Sequence, residues 1–186
     1  MGQFLWRPIF CCMGTAMIDI KMSNYPIKYQ EEIEKTLDHE GGYVNDPKDS
    51  GGETKFGISK RAYPKTDIFN LTRNDAIKIY YKDYWLKYKC DKLPEVLQGI
   101  LFDMAVNHGG RRAVKILQQT ANAKNKKQII VDGLIGKNTI RACKHVELER
   151  VVSYRCLFYA SLVLKKPSQE RFWFGWFRRC LKELKK

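Results

Sequence analysis

A mainly α-helical fold is predicted by the spacing of apolar side chains along most of the chain. Tyr29, Ile33 and Leu37 recur every fourth residue among polar neighbours, which is typical of an amphipathic helix. Residues 97–106 are apolar enough to form a buried central helix, and an apolar stripe at spacings of three and four follows near the C-terminus. A polar, glycine-rich segment at 41–57 interrupts this pattern and predicts a small irregular or β-hairpin element.

The length and composition are those of one compact globular domain. The chain has 186 residues, of which 44% are hydrophobic, so it can bury a single sizeable core. No apolar run is long enough to span a bilayer. The formal net charge is +14, which favours polyanionic partners.

Residues 1–24 are predicted to form an N-terminal extension, because they lack the periodicity that follows. Two short apolar runs, Phe4-Leu5-Trp6 and Ile9-Phe10, are separated by Arg7 and Pro8. No basic region precedes these runs, as it would in a secretory signal. A secretory signal is therefore the disfavoured interpretation of this extension.

Glu40 lies where the first helix is expected to end. Gly41 or Gly42 can take the left-handed conformation that closes a helix C-terminus. The helix dipole disfavours an ionised carboxylate in the last turn, and burial acts in the same direction, so both are expected to raise the pKa of Glu40. A carboxylic acid that stays protonated near neutral pH can protonate the leaving oxygen of a glycoside. The alternative is an exposed glutamate at a helix end.

The residues that follow Glu40 form an ordered set of short motifs. These motifs are Glu40-Gly41-Gly42-Tyr43, Asp46-Pro47, Asp49, Gly51-Gly52, Thr54, Phe56-Gly57-Ile58, Tyr84-Trp85, Asn107-His108-Gly109, Asp132-Gly133-Leu134-Ile135-Gly136 and Gly175-Trp176. The set resembles the glycoside hydrolase family 108 N-acetylmuramidases, which are lysozyme-like and common among phage endolysins. Its later part resembles the predicted peptidoglycan-binding segment that usually follows the catalytic motif.

The resemblance implies that Glu40 is the catalytic acid. Asp49 follows Glu40 after eight intervening residues, and Thr54 follows after four more. This order is similar to the Glu, Asp and Thr set of the phage-type lysozymes, whose second gap is one residue longer. Asp49 is therefore a candidate to position water or stabilise positive charge, and Thr54 to orient that water; Asp46 and Glu53 are further carboxylates on the segment. The structural alternative is a pair of turns, one of them capped by Asp49.

Aromatic and amide side chains near these motifs are candidates for binding sugar. Tyr43, Tyr84 and Trp85 are predicted to line a substrate groove. Asn107 ends the predicted central helix in a turn that the resemblance places near the substrate, so it is predicted to hydrogen-bond a sugar. The equally open alternative is that Asn107 is only a helix-ending polar residue. Asp103, within the same apolar helix, needs a partner if it is buried and is interpreted as structural.

The resemblance divides the chain into a catalytic muramidase segment at 25–110 and a peptidoglycan-binding-like helical segment at 111–186. We expect the second segment to be the other lobe of one two-lobed, lysozyme-like domain. A tight turn at 131–139 is predicted to join two of its helices, with Gly133 and Gly136 supplying positive φ.

The C-terminal helix is predicted to be amphipathic. It could bind an anionic membrane surface transiently. The favoured alternative is that its aromatic stripe packs on the core and leaves a solvated basic face. The apolar positions are Trp173, Trp176, Phe177, Cys180, Leu181 and Leu184, and the basic positions are Arg171, Arg178, Arg179, Lys182, Lys185 and Lys186.

Cysteine and histidine spacings predict neither a disulfide framework nor a metal site. The six cysteines lack the dense spacing of a secreted scaffold, so most are interpreted as small buried hydrophobes in a reducing compartment. The three histidines lack the spacing of zinc ligands. No cofactor is implied, because carboxylates and water suffice to hydrolyse a glycoside.

With the resemblance, these features predict a lysozyme that hydrolyses the β-1,4 bonds between N-acetylmuramic acid and N-acetylglucosamine in peptidoglycan. The likeness to phage endolysins implies synthesis in the bacterial cytoplasm, holin-dependent release and action on the wall in the periplasm, as a monomer. A non-catalytic peptidoglycan-binding or wall-remodelling protein is the main alternative. A basic nucleic-acid-binding protein is disfavoured, because the sequence has no helix-turn-helix, zinc-finger or RNP pattern.

Overall fold

A computed structural model describes residues 22–39, 42–45 and 52–185. Helix α1 spans Ile27–His39 and begins directly after Pro26. Its apolar stripe of Tyr29, Ile33 and Leu37 is buried, as their spacing of four residues predicts. The Tyr29 hydroxyl donates to the carbonyl of Ile77 (2.6 Å), which satisfies this buried polar group and ties α1 to the next helix.

A small antiparallel hairpin lies in the glycine-rich segment. Strand β1 is Thr54–Lys55 and strand β2 is Ile58–Ser59. The two connecting residues, Phe56 and Gly57, have φ of 53° and 73°. Positive φ at both central positions is the signature of the type I′ turn, whose twist matches that of a hairpin. The predicted β-hairpin is therefore confirmed.

Helix α2 spans Arg73–Tyr80, and the Thr72 hydroxyl accepts a hydrogen bond from the backbone N–H of Asp75 at its start. Threonine is a favoured residue at this position because its side chain satisfies a free backbone N–H at the helix start. The helix passes without a break into a π-helical turn at Tyr81–Leu86. A short 3₁₀ turn at Cys90–Lys92 completes this region.

Helices α3 and α4 form the centre of the molecule. Helix α3 spans Glu95–His108 and helix α4 spans Gly110–Lys124. Gly109 has φ of 77° between them, which confirms the predicted glycine stop. A Cβ on Gly110 would lie 1.7 Å from the ring of Tyr88, so only glycine allows this close approach.

Three further helices complete the C-terminal part. Helix α5 spans Lys137–Ala142, α6 spans Leu148–Lys165 and α7 spans Glu170–Glu183, with a 3₁₀ turn at Pro167–Gln169 before α7. One hydrophobic core contains residues from α1 through α7, and therefore from both predicted segments. Among the described residues, no helix is long and apolar enough to cross a membrane.

The loop before α5 is held by the buried amide of Gln118. Its Nε2 donates to Asp132 Oδ1 (2.8 Å) and to the carbonyl of Leu134 (3.0 Å), and its Oε1 accepts from the N–H of Gly133 (2.9 Å). Gly133 has the predicted positive φ of 80°. The prediction is wrong for Gly136, whose φ of −123° is extended backbone open to any residue; it simply precedes the first turn of α5.

The C-terminal hairpin of α6 and α7 packs part of its aromatic stripe on the core. The rings of Tyr159 and Trp176 stack at 4.8 Å, and Cys180 is fully buried. The favoured prediction is therefore confirmed for Trp173, Trp176 and Cys180, which pack on the core. It is wrong for Phe177, Leu181 and Leu184, because they lie on another side of the helix and are exposed. Cys90 and Cys143 are also buried, and the four cysteines within the described ranges are free thiols.

Candidate active site

The structure describes residues on either side of the predicted catalytic carboxylates, but not the carboxylates themselves. Glu40 and Asp49, with Asp46, lie outside the described residues. Helix α1 ends at His39, the residue directly before Glu40. The site is therefore defined by the end of α1 and by the elements that lie beside it.

A cavity of about 750 Å³ lies along the last turns of α1. Lys35 and Thr36 line it from α1, Asp103 from α3, and Trp176 and Arg179 from α7. Thr36 precedes the predicted acid by four residues, which is one helical turn. The cavity therefore lies between the C-terminal part of α1, which precedes Glu40 in the sequence, and polar side chains of α3 and α7.

Asn107 lies at the end of α3 and uses its amide within the protein. Its Nδ2 donates to the Asp103 carbonyl (2.7 Å) and to Asp103 Oδ1 (3.1 Å), and its Oδ1 accepts from Arg179. The side chain is exposed, so its remaining acceptor lone pair can still meet a ligand. These contacts fit the interpretation of Asn107 as a helix-ending residue, and they place it beside the cavity lined by Asp103 and Arg179.

Asp103 is structural, as predicted, and its partner is a buried arginine. Arg155 of α6 is 0% exposed and forms an ion pair with Asp103 Oδ2 at 2.5 Å. Arg179 Nε lies 3.5 Å from the other carboxylate oxygen. One carboxylate therefore joins α3, α6 and α7, since a buried charge must be paired.

His108 completes this polar cluster. Its Nε2 accepts a hydrogen bond from Arg155 Nε at 3.2 Å, and its ring packs on Phe158 and Tyr159. Burial lowers the pKa of His108 to about 4, and the nearby charge of Arg155 acts in the same direction. His108 is therefore neutral at physiological pH, which leaves its nitrogen free to accept from the guanidinium.

Thr54 lies on β1, across the backbone from Val44. The two residues exchange backbone hydrogen bonds of 2.8 Å, so residues 42–45 and β1 are joined by an antiparallel bridge. Among the described residues, the Thr54 hydroxyl makes only a long contact, to the Gly52 carbonyl (3.4 Å). A half-buried hydroxyl with such a weak internal bond is able to bind a water molecule or a sugar.

Tyr43 meets a second aromatic residue that the sequence did not indicate. Its ring is 37% exposed and contacts the exposed ring of Phe69 edge to face at 5.3 Å. Lys55 donates to the Phe69 carbonyl (2.7 Å) and so fixes the loop that carries this ring to β1. The pair forms an open aromatic surface close in sequence to the predicted acid. An aromatic residue in a polar loop was a usable signal for Phe69, but its pairing with Tyr43 was not visible in the sequence.

Tyr84 and Trp85 differ in environment, although they are neighbours. Tyr84 is half-buried and packs against Tyr80, and burial raises the pKa of its hydroxyl. Trp85 is 0% exposed and packs edge to face on Tyr29 and Phe102 in the core. The prediction that Trp85 lines a substrate groove is therefore wrong, because its ring fills the space between α1 and α3.

A second groove, of about 930 Å³, lies around the loop between α4 and α5. Its basic lining residues are Lys126, Lys127, Lys137 and Arg141. None of the five predicted site residues that the structure describes belongs to it. The groove is a basic surface suited to an anionic polymer, and it lies on the predicted peptidoglycan-binding side of the chain.

Metal-ligating side chains do not cluster in the described residues: no group of three or more histidine, cysteine, aspartate or glutamate side chains is placed to hold an ion there. The polar groups that line the cavity beside α1 are instead the carboxylates of Glu32, Asp103 and Glu183, the hydroxyl of Thr36 and the cations of Lys35, Arg178, Arg179 and Lys182. Charged and hydroxyl groups of this kind can bind and orient a polar ligand.

Comparisons with known proteins agree with this arrangement. Residues 33–109 match the family model of glycosyl hydrolase 108, and residues 112–181 match that of a predicted peptidoglycan domain. The solved structure of Brucella abortus SagA is similar, with 29% sequence identity and a TM-score of 0.67 over 83% of this chain and 90% of that chain. No curated protein matches the sequence significantly.

Proposed function

From the premise that this chain is a glycoside hydrolase of lysozyme-like fold, with a glycosyl hydrolase 108 segment followed by a peptidoglycan segment, we propose that it is an N-acetylmuramidase. It hydrolyses the β-1,4 bond between N-acetylmuramic acid and N-acetylglucosamine in peptidoglycan. The observation that carries the proposal is that the match over 33–109 includes both Glu40 and Asp103, which lines the cavity beside α1.

Glu40 is the proton donor in this proposal. It follows the last residue of α1, where the partial negative charge of the helix end disfavours ionisation. A carboxyl group kept protonated near neutral pH can protonate the leaving glycosidic oxygen as the bond breaks. The cavity beside Thr36 offers room for a sugar next to this end of the helix.

Asp49 and Thr54 are proposed to act at the anomeric centre and on the attacking water, whereas Glu40 acts on the leaving oxygen. The oxocarbenium-like centre needs a carboxylate or an activated water on its far side, and Asp49 supplies the carboxylate. The Thr54 hydroxyl has only a long internal contact, which leaves it able to orient that water. Whether the anomeric configuration is retained or inverted depends on the separation of the two carboxyl groups.

Sugar binding is assigned to the open aromatic and polar surfaces. Tyr43 and Phe69 present exposed rings that suit the apolar face of a pyranose, while Tyr84 is half-buried and nearer the hairpin. Asn107 and Arg179 supply polar contacts at the cavity. The basic groove around Lys126 adds attraction for the stem-peptide carboxylates of the wall.

The biological setting is proposed from the same likeness. The protein acts as a monomeric phage or prophage endolysin, made in the bacterial cytoplasm and released to the wall with the help of a holin. The net charge of +14 suits a wall polymer that carries carboxylates. A non-catalytic wall-binding or remodelling protein remains the competing hypothesis, and it predicts binding to sacculi without release of fragments.

The test is the chemistry of the products released from purified sacculi in water labelled with heavy oxygen. A muramidase leaves N-acetylmuramic acid at the new reducing end, with one labelled oxygen on its anomeric carbon. Reducing ends of N-acetylglucosamine would contradict the proposed bond, and unlabelled 1,6-anhydro ends would contradict hydrolysis. Binding without any fragments would support the non-catalytic hypothesis.

A further inference from the structure

Helix α7 carries a second apolar stripe in addition to the one that packs on the core. Phe174, Phe177, Leu181 and Leu184 follow one another at spacings of three, four and three residues, which places them along one side of the helix. All four are exposed, and Phe174 is 69% exposed. Core packing accounts for Trp176 and Cys180, but it does not account for this neighbouring stripe.

The outward direction of this stripe follows from the two arginines that bind Asp103. Arg179 of α7 and Arg155 of α6 both point toward that carboxylate on α3. A residue two positions further along a helix points about 160° away. Leu157 lies two positions after Arg155, and Leu181 lies two positions after Arg179. Both leucines therefore face away from α3.

Helix α6 extends the outward face. Leu164 follows Leu157 by two helical turns and therefore lies on the same side of α6. Both leucines are exposed, and Leu164 reaches 83%. The outer face of the α6–α7 hairpin therefore combines apolar side chains from both helices; we call it the outer apolar face, and its members are Leu157, Leu164, Phe174, Phe177, Leu181 and Leu184.

A basic border runs beside this face. Over residues 165–185 the sequence has seven lysines and arginines against two glutamates. One of these glutamates, Glu183, is buried on the inner side of α7. The guanidinium of Arg178 lies 5.7 Å from the ring of Phe174, and that of Arg171 lies 4.7 Å from the ring of Phe172. Cations are thus held directly beside exposed rings.

We propose that the outer apolar face binds the surface of an anionic phospholipid bilayer. An exposed apolar stripe bordered by lysine and arginine is the pattern of helices that lie in the membrane interface, with rings below the headgroups and cations among them. No described helix is able to span the bilayer, so the contact is peripheral. The charge argues for lipid over a second copy of the chain, because two such basic borders repel each other.

This surface acts independently of the glycosidase site. The cavity beside α1 is lined from α7 by residues that include Trp176, Arg178, Arg179 and Lys182, whereas none of the six side chains of the outer apolar face lines it. Membrane binding through those six side chains would therefore leave the cavity open to substrate. The chemistry proposed for Glu40 does not depend on it.

The test is co-sedimentation of the full chain with vesicles, using phosphatidylcholine alone and an equal mixture of phosphatidylcholine and phosphatidylglycerol. The wild type is expected to bind the anionic vesicles and to release from them at high salt. The double variant Phe174→Ser/Leu181→Ser is expected to bind about tenfold more weakly. The matched control is Ile130→Ser/Val96→Ser, which removes two exposed apolar side chains outside the hairpin and should bind like the wild type.

Folding and oligomeric state are checked on the same samples. If circular dichroism shows that the double variant is not folded, Arg171→Glu/Lys185→Glu replaces it and should bind more weakly still at low salt. The proposal is overturned if the wild type does not bind anionic vesicles, or if the folded variants bind as well as the wild type. It is also overturned if the wild type is a dimer that these substitutions dissociate. Activity on soluble glycan strands should not change, which separates this proposal from that of the muramidase.

Discussion

The open edge of the molecule that carries Tyr43 and Thr54 differs from the cluster around Arg155 in how its polar and aromatic groups are used. At the edge, the ring of Tyr43 is exposed and the Thr54 hydroxyl has only a long internal contact. In the cluster, Arg155 of α6 binds both Asp103 and His108 of α3. The edge leaves its groups open to solvent, and the cluster joins two of the helices around the cavity.

This difference shows that residue type alone does not distinguish residues that act on a substrate from residues that stabilise the fold. A buried arginine with a carboxylate partner is the kind of pair often found in active sites, yet here the pair joins α6 to α3 within the fold. Conversely, Tyr43 and Thr54 at the edge have surroundings that are ordinary for surface residues. Substitutions in the cluster should therefore act mainly on folding, and substitutions at the edge mainly on substrate.

The largest expected effect on stability is that of Trp85→Ala. The ring is fully buried between Tyr29 and Phe102, so its removal leaves a large cavity and should lower the free energy of unfolding by about 4 kcal/mol. Urea denaturation followed by circular dichroism measures this loss. The matched variant Tyr43→Ala should change stability by less than about 0.5 kcal/mol. If the two variants lost equal amounts of unfolding free energy, the distinction between the buried core and the exposed edge would be contradicted.

Arg155→Ala is expected to have the next largest effect. It leaves Asp103 without its buried partner and should cost about 3 kcal/mol in urea denaturation. Arg150→Ala is the control on the same helix, because its pair with Glu147 is exposed and contributes less than about 1 kcal/mol.

A second variant separates charge from packing in the same cluster. Arg155→Met/Asp103→Asn removes both charges while keeping most of the volume and should recover much of the stability lost in Arg155→Ala. If the double variant is as unstable as the single one, the ion pair is not the source of the loss.

The pH dependence of stability should report on His108. Its pKa is lowered to about 4 from an ordinary 6.5 by burial, so the unfolded chain binds the proton more readily. Stability is therefore lost as pH falls from about 6.5 toward 4, by at most about 1.4 kcal/mol per pH unit. His108→Gln should flatten this slope, measured by urea denaturation across that range, whereas His145→Gln, at an exposed position, should keep it. An unchanged slope in His108→Gln would contradict the assignment.

The smallest expected effect is on substrate binding at the edge. Phe69→Ala should raise KM for glycan strands several-fold, about 1 kcal/mol, because it removes one ring of the exposed pair with Tyr43. Stability and kcat should stay close to those of the wild type. Ile27→Ala removes an exposed apolar side chain at the start of α1 and serves as the control in the same kinetic assay. A fall in stability without a change in KM would assign Phe69 to the fold.

Local sequence patterns predicted much of the fold because they report short-range physics. The spacing of Tyr29, Ile33 and Leu37 predicted the buried face of α1, and glycine at 109 predicted the end of α3. The hairpin was predicted as a small β element, and the positive φ of Phe56 and Gly57 explains its tight turn. Each of these features depends on residues within a few positions of one another.

The failures came from contacts that are distant in sequence. The pairing of Arg155 with Asp103, and of Tyr43 with Phe69, joins residues that only the tertiary fold brings together. Trp85 was misassigned because it lies in a π-helical turn, where the wider spacing changes which of two neighbouring aromatic residues faces the core. For the site, the family resemblance indicated Glu40, while the cavity beside the end of α1 came only from the packing of α1, α3 and α7.

The most direct test of the central claim is the rate at which Glu40→Gln releases reducing ends from purified sacculi. The substitution keeps the size of the side chain and removes its acidic proton, so the rate should fall by about a thousandfold or more while the thermal unfolding curve stays unchanged. Glu31→Gln, an exposed position on the same helix, should retain the wild-type rate. A folded Glu40→Gln protein that releases reducing ends as fast as the wild type would contradict the claim that Glu40 is the catalytic acid.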